Sequence, residues 1–535
     1  MKSSTDTRKG RRGRAALLAG AGISLFVFVL YLRTLAPTIL PYDSPELLDV
    51  PMLQMQVCVL GMTHPTGYPS YLMLSHLFTY LPFGDCAYRA NLASAAYAAL
   101  AVAAVFAAGY LLSRRVIAAA AAALTFGLGG TLWSQAVMAE VYTLNALLIA
   151  IAVLALLLWR ERRSDRYLLL SAFLVGLCMT NHLTSGLLLP ASLLFVALVD
   201  WRKLVDVRLV LAGAALFVAG LAPYLYLPLR SAMDPPFKAN DPTTFERFWY
   251  VISGGNLRGG FFAFGPAELP GRVAFYLDHL FDNLHLGLVA IAMVGFVVLL
   301  VRDRAVAAFL GFLYLGWTFH AIENDIPDIQ LYFIPTYLVL CIAMAVGLAF
   351  LLSEAEGLLG RFPRAAVVVV LSVAALLLPL PGVGESYASN DMSGDYRGRR
   401  ILEDVAENAA PDSTILHHRS NLYYLVMVEE RRQDLTLVDP FWHNRDIGYA
   451  DIVWPADVDL ATADRLYGTE DFSGVTAAEK AAKKGRVYVI GQPDVNPRGL
   501  YEAGWRTVQV EGALYELIPP EGQQGEGSRD APQTG

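Results

Sequence analysis

Apolar residues in this chain fall into long runs separated by short polar turns. Eleven of the runs approach the ~20 residues a helix needs to cross a bilayer. They occupy 15–32, 88–112, 116–132, 143–159, 167–180, 183–199, 207–229, 284–301, 305–319, 331–352 and 365–380. The stretch 69–81 is too short and too polar to cross, and reads as an amphipathic helix lying in the interface. Lys2, Arg8, Lys9, Arg11, Arg12 and Arg14 precede the first run. No small-residue cleavage site follows it, so it reads as an uncleaved transmembrane helix rather than a signal peptide.

The polar turns alternate in sign. One set holds the basic N-terminus, Arg114-Arg115, the group Arg160/Arg162/Arg163/Arg166, Arg202/Lys203/Arg208, Arg302/Arg304 and Arg361/Arg364. The other holds the Asp43 loop, 133–142, Asn181-His182, the long loop 230–279 and 323–328, and its short members contain almost no Lys or Arg. By the positive-inside rule the N-terminus is cytoplasmic and the unusual polar motifs face outward from a plasma or inner membrane. Beyond the last run the composition becomes that of a globular domain. Strands at 414–417, 435–438 and 486–490 around a helix at 423–431 predict a small extracytoplasmic α/β domain. The expected organisation is a basic cytoplasmic segment 1–14, a transmembrane region 15–382, the α/β domain 383–519 and a disordered polar tail 520–535.

Composition agrees with this reading. The chain has 535 residues, of which 55% are hydrophobic and 17% charged, and its mean hydropathy is +0.44. Soluble domains carry roughly 25% charge. The absence of a strongly basic domain argues against a nucleic-acid partner. Cys178 and Cys341 lie in apolar runs and read as packing residues. Cys58 and Cys86 share the first outer loop, where a disulfide and two separate thiols are equally open readings. No P-loop, dinucleotide-binding glycine fingerprint, His-Glu-x-x-His or Cys-x-x-Cys is present, so nucleotide-driven transport and zinc hydrolysis have no support.

The candidate chemistry gathers in the outward loops. Asp43 and Glu46 are three apart, on one face of any helix that starts there. Pro45 suits a first helical turn, so one acid can serve as a cap; carboxylates at a membrane boundary also suit a general base. His64 and Tyr68 lie in Thr63-His64-Pro65-Thr66-Gly67-Tyr68-Pro69, a non-helical path fixed by prolines and glycine. Gln135, Glu140, Tyr142 and Asn145 stand in and beside a short, otherwise apolar turn, and Glu140 has no basic neighbour there. Asn181 and His182 form the next outer turn. Arg230, at an outer helix boundary, can snorkel or clamp a phosphate. Arg258 among glycines is a second such candidate, and Asp328 closes an acidic outer turn.

Taken in order, Asp43-Ser44-Pro45-Glu46, His64-Pro65-Thr66-Gly67-Tyr68-Pro69, Trp133-Ser134-Gln135 through Glu140-Val141-Tyr142-Thr143-Leu144-Asn145, Asn181-His182, Leu227-Pro228-Leu229-Arg230 and Asn324-Asp325-Ile326-Pro327-Asp328 resemble a family of polytopic proteins. That family was long labelled a domain of unknown function (DUF2723) and is related to protein O-mannosyltransferases. The resemblance implies a GT-C-type glycosyltransferase with about 11 transmembrane helices. Its donor would be a polyprenyl-phosphate sugar, with mannose inferred from the family alone, and its acceptor a hydroxyl on a protein or glycan. Asp43 would be the base of an inverting transfer, with Glu46 second. Pro45 and Thr66 depart from the family's usual Gly and Pro. Arg230, with Arg258, would stabilise the leaving lipid phosphate. A leaving monophosphate needs no obligatory metal, and a divalent ion stays an open alternative. A flippase for lipid-linked sugars is the competing reading, but it expects polar groups near the midplane. A non-catalytic scaffold would leave the outer polar groups unexplained.

Overall fold

A computed structural model of the protein describes residues 2–42, 44, 47–233, 235–238, 240–417, 421–439, 452–453, 474–491 and 498–520. All eleven apolar runs are helical, and among the described residues six helices are long and apolar enough to cross a membrane: Gly13–Thr34, Cys86–Ser113, Tyr142–Arg162, Leu183–Leu204, Arg304–Ile322 and Ile329–Leu358. Three more crossings follow if each bent pair is one span: Val116–Leu128 with Gly130–Ala136 (62°), Val207–Gly220 with Ala222–Ala232 (40°), and Leu269–Asn283 with Leu286–Arg302 (101°). The remaining two runs are Asp165–Met179 and Arg364–Leu377, of 15 and 14 residues. At 1.5 Å per residue each reaches about 22 Å, short of a ~30 Å hydrocarbon core. Length and composition therefore support six to nine crossings rather than eleven.

Close helix approach is bought with glycine. A Cβ on Gly295 would sit 1.9 Å from the carbonyl oxygen of Ala343, and one on Gly347 would sit 2.0 Å from that of Ile291. Gly176 and Gly220 make a second reciprocal pair, each 2.2 Å from a facing carbonyl, those of Phe217 and Phe173. In lipid, where apolar burial drives little association, such small-residue contacts set how tightly helices pack.

The alternation of turns becomes two ends of one bundle. At the basic end Arg114 pairs with Glu161, Arg115 with Glu356 (2.8 Å), Arg160 with Asp303 and Lys203 with Asp165 (2.7 Å). At the other end the Ala36 N–H donates to Val137 O (3.0 Å), and Asn181 Nδ2 to Val141 O (3.1 Å). Here too lies a helix hidden from pattern analysis, Val50–Val59. Eight of its ten residues are buried, so it shows no amphipathic period. The stretch 69–81, expected to lie in the interface, is helical over Pro69–His76 and continues in a 3₁₀ turn, Leu77–Tyr80, with Pro69, Ser70, Tyr71, Leu72 and Ser75 buried against the protein.

Among the described residues six strands follow the bundle: β1 (Thr414–Leu416), β2 (Thr436–Val438), β3 (Ile452–Val453), β4 (Val487–Ile490), β5 (Arg506–Glu511) and β6 (Leu514–Ile518), in the order β3-β2-β1-β4-β6-β5. β1 runs parallel to β2 and β4, and the other pairings are antiparallel. The three predicted strands are β1, β2 and β4, and the predicted helix is the shorter Leu422–Met427. The β5–β6 hairpin was not predicted; Gly512, at φ +49°, supplies its turn. The expected disordered tail lies outside the described residues from 521 onward. The sheet region docks on the loop end of the bundle. The Ala87 N–H donates to the Tyr424 hydroxyl (3.2 Å), Arg399 meets Asp85 (3.1 Å), and Gly398 packs on the Ile39 carbonyl too closely to admit a Cβ. Cys58 and Cys86 form a disulfide at the same end, as the first of their two readings has it.

Candidate active site

The first loop is fixed by buried amides. Asn91 Nδ2 donates to Ala36 O (3.0 Å), Leu40 N–H to Gln54 Oε1 (3.0 Å), and Gln54 Nε2 to Asn91 Oδ1 (2.8 Å). Asp43 and Glu46, the expected base and its second, lie outside the described residues. The loop's next acid is Asp49, at the N-cap position of Val50–Val59 with Pro51 in the first turn. That pattern reads as an ordinary helix start, which is why sequence reasoning passed over it. Its side chain makes no capping hydrogen bond and lies 3.5 Å from His64 Nε2.

Gly67 (φ +86°) and Tyr68 (φ +39°) turn the chain back after the His64 loop. The Tyr68 ring then stands 5.3 Å from His64 and 6.3 Å from His182. Tyr142 opens its helix here and its hydroxyl donates to Asp328 Oδ2 at 2.5 Å, joining turns 186 residues apart. Its ring is 5.5 Å from His182 and 6.0 Å from Tyr332. Tyr332 also touches His182 at 5.0 Å and His320 at 6.0 Å. His64, Tyr68, Glu140, Tyr142, His182 and Asp328 thus converge. Asp49, His320, Glu323 and Tyr332 join them.

Glu140 is 6% exposed. Ser94 clamps its backbone, accepting from the Glu140 N–H (3.1 Å) and donating to its carbonyl (3.3 Å). One carboxylate oxygen accepts from Val141 N–H at 3.2 Å. Burial first, then Asp49 and Asp328, push this carboxyl well above its usual range. Among the described residues no Lys or Arg lies within ion-pair distance of it. Burial, then His320, lowers the His182 imidazole to about 3. Burial first also raises the Tyr68 phenol, and the nearby Tyr332, Asp49, Asp328 and Glu140 add to it. The cluster therefore combines a carboxyl that resists ionisation with an imidazole that resists protonation.

A cavity of about 430 Å3 adjoins the cluster. Tyr68, His182, His320, Glu323 and Tyr332 line its polar part; Leu183, Leu187, Phe261, Phe262 and Phe319 line the apolar remainder. Phe262 is 76% exposed, so the apolar part of the cavity reaches the surface of the molecule. Among the described residues no three of His, Cys, Asp and Glu are grouped to hold a metal ion.

Other expected contacts turn out to be supports. Asn145 Oδ1 accepts from Ser185 Oγ (2.6 Å), tying Tyr142–Arg162 to the turn Leu183–Leu187. Asn181 fastens Val141, as above. Gln135 is buried, its amide donating to Ser134 Oγ (3.2 Å). Arg230 departs most from expectation. Its Nε donates to Leu60 O (2.7 Å) and its Nη2 to Val59 O (3.1 Å). With the Tyr226 hydroxyl, which also donates to Leu60 O (2.8 Å), it satisfies the carbonyls that end Val50–Val59. A cation is favoured at that helix terminus, and the described contacts of Arg230 are these rather than the acidic cluster. Arg258 lies in the 3₁₀ turn Gly255–Gly260, and its side chain is outside the described residues.

The family model described as the N-terminal domain of protein O-mannosyl-transferase TMEM260 matches residues 49–205. The matched stretch contains Asp49, His64, Tyr68, Glu140, Tyr142 and His182. A curated mouse protein, "Protein O-mannosyl-transferase TMEM260", is 26% identical over 465 residues, covering 80% of this chain and 63% of the relative. The chain thus spans about 63% of that relative's length. Among solved structures, ArnT from Cupriavidus metallidurans bound to undecaprenyl phosphate superposes with a TM-score of 0.56 at 14% identity, over 95% of this chain and 98% of that one. The Archaeoglobus fulgidus oligosaccharyltransferase, in complex with zinc and sulfate, gives a TM-score of 0.53 at 15% identity, over 89% of this chain and 68% of that one. At these identities the likeness is one of fold.

Proposed function

We propose that this chain is a membrane glycosyltransferase of the DUF2723 type. It would take a sugar, mannose by family resemblance, from a polyprenyl-phosphate carrier and transfer it to a hydroxyl of a protein or glycan. The observation that carries the reading is the Glu140–Asp328–Tyr142 cluster, with Asp49 beside it, packed through Tyr68, His182 and Tyr332 against a largely apolar cavity. A lipid tail enters such a cavity from the bilayer while its sugar meets the polar groups. The named mannosyltransferase relative and the ArnT structure with undecaprenyl phosphate support the same chemistry.

In this reading the acceptor oxygen attacks the anomeric carbon and Asp43 takes its proton, with Glu46 as second. The bond from that carbon to the phosphate oxygen breaks, the electron pair leaves with the lipid phosphate, and the anomeric configuration inverts. Glu140, its carboxyl raised by burial, hydrogen-bonds the sugar, and Asp328 with Tyr142 fixes the pocket wall. Arg230 acts as a positioning residue beneath the first loop. No metal step is needed. The site faces outward, the N-terminus is cytoplasmic, and the sheet region at 383–519 lies outside beside the acceptor.

Purified protein given labelled polyprenyl-phosphate mannose and a membrane extract as acceptor tests this. The label should leave the lipid. If in proteoliposomes it only crosses the bilayer still attached to lipid, the flippase reading replaces this one. That reading is disfavoured because the polar groups gather at helix ends rather than mid-span.

A further inference from the structure

We infer that the carrier's phosphate is held by an imidazole pair, His182 and His320, at the polar part of the cavity. This rests on the proposed lipid-phosphate donor and assigns the group that recognises it. The expected clamp, Arg230, has its Nε and Nη2 on backbone carbonyls. Among the described residues lining the cavity there is no Lys or Arg, and two imidazoles stand among its polar side chains.

His320 Nε2 is buried and has no hydrogen-bond partner among the described residues. A buried polar atom left so is costly, and a bound acceptor relieves the cost. His182 Nδ1 meets Thr184 Oγ1 at 2.7 Å. When that hydroxyl donates, the ring proton sits on Nε2, leaving a second donor. The two rings come from different elements, the turn after Asp165–Met179 and the end of Arg304–Ile322. Both rest on Tyr332, at 5.0 and 6.0 Å. Leu183, Leu187, Phe261 and Phe319 then supply apolar wall for the first isoprene units. Glu323 lines the same cavity and opposes an anion there, so its removal should tighten phosphate binding.

Equilibrium binding of undecaprenyl phosphate and of undecaprenol, which differ only in the phosphate, tests the assignment on the detergent-solubilised full chain. Wild type should prefer the phosphate. His320→Ala should cut that preference about tenfold and His182→Ala/His320→Ala about a hundredfold, with undecaprenol affinity unchanged. His320→Asn, which retains an N–H donor, should restore part of it, and Glu323→Gln should raise it. An unchanged preference in the double variant overturns the inference, and so does an equal loss for both ligands, which would mark the pair as structural. Displacement of undecaprenyl phosphate by equimolar phosphatidylglycerol would overturn the carrier assignment in favour of a general lipid-phosphate site. Specific phosphate binding by a wild-type protein that transfers no sugar would instead sink the proposed function and leave this site standing.

Discussion

At the basic end of the bundle Glu161, Glu356, Asp303 and Asp165 each meet an arginine or lysine at the protein surface. At the opposite end Glu140 is enclosed, its carboxyl near Asp49 and Asp328 and away from any described Lys or Arg. Both ends use the same acid side chains. The first arrangement holds helix ends together and marks topology, and exposed pairs of that kind contribute about 0–1 kcal/mol each. The second makes a carboxyl hard to ionise, which costs stability and is retained only where the protonated or proton-accepting form has a use. The contrast separates charge that places a membrane protein from charge that performs chemistry.

The partition fails most completely if the helices cannot approach. Gly347→Val should destabilise by about 3 kcal/mol or more, because the facing Ile291 carbonyl cannot retreat; loss of monodisperse protein on size exclusion would report it. Next come substitutions at the two ends. Glu140→Leu should lower transfer about a hundredfold while leaving the melting temperature intact, and Glu140→Gln, which keeps a donor, should lower it tenfold at most. Glu356→Gln should leave transfer within twofold.

These contrasts were partly legible in the sequence. Glu140 is legible because an acid in a short apolar turn lacks the usual cation, His182 because it forms an outer turn with Asn181, and Asp328 because it closes an acidic one. Asp49 is not, since an acid just ahead of Val50-Pro51 looks like a helix cap and only coordinates reveal that the cap bond is missing. Arg230 was visible but misassigned. Its partners are the backbone carbonyls of Val59 and Leu60, and no side-chain pattern signals a carbonyl. His320 directly follows the apolar run 305–319, where a histidine reads as a helix-end residue. The alternation of charged turns made the two bundle ends readable, because lipid penalises misplaced charge on every crossing. The bends at 62°, 40° and 101° were not readable, as apolar length says nothing about direction.

Removing the Cys58–Cys86 disulfide, which closes a separation of 28 residues, should cost about 3 kcal/mol. It should lower the melting temperature of the loop end without altering the basic end's protection in hydrogen exchange. The smallest effect is the pH dependence of stability. A carboxyl whose folded value is raised keeps its proton in the fold after the unfolded chain has released it. Its contribution is therefore complete below the unfolded value of 4.5 and is lost as pH rises through the raised folded value. Wild type should lose stability over that interval, and Glu140→Gln should flatten the slope. An unchanged slope would place the raised carboxyl elsewhere.

The most direct test of the central claim, that the acidic loop end transfers sugar from a lipid phosphate, is a single-turnover measurement with labelled polyprenyl-phosphate mannose on wild type and Asp43→Asn. The account predicts appearance of free lipid phosphate with wild type and a loss of at least a hundredfold in Asp43→Asn with carrier binding retained. Equal turnover by the two proteins would contradict it.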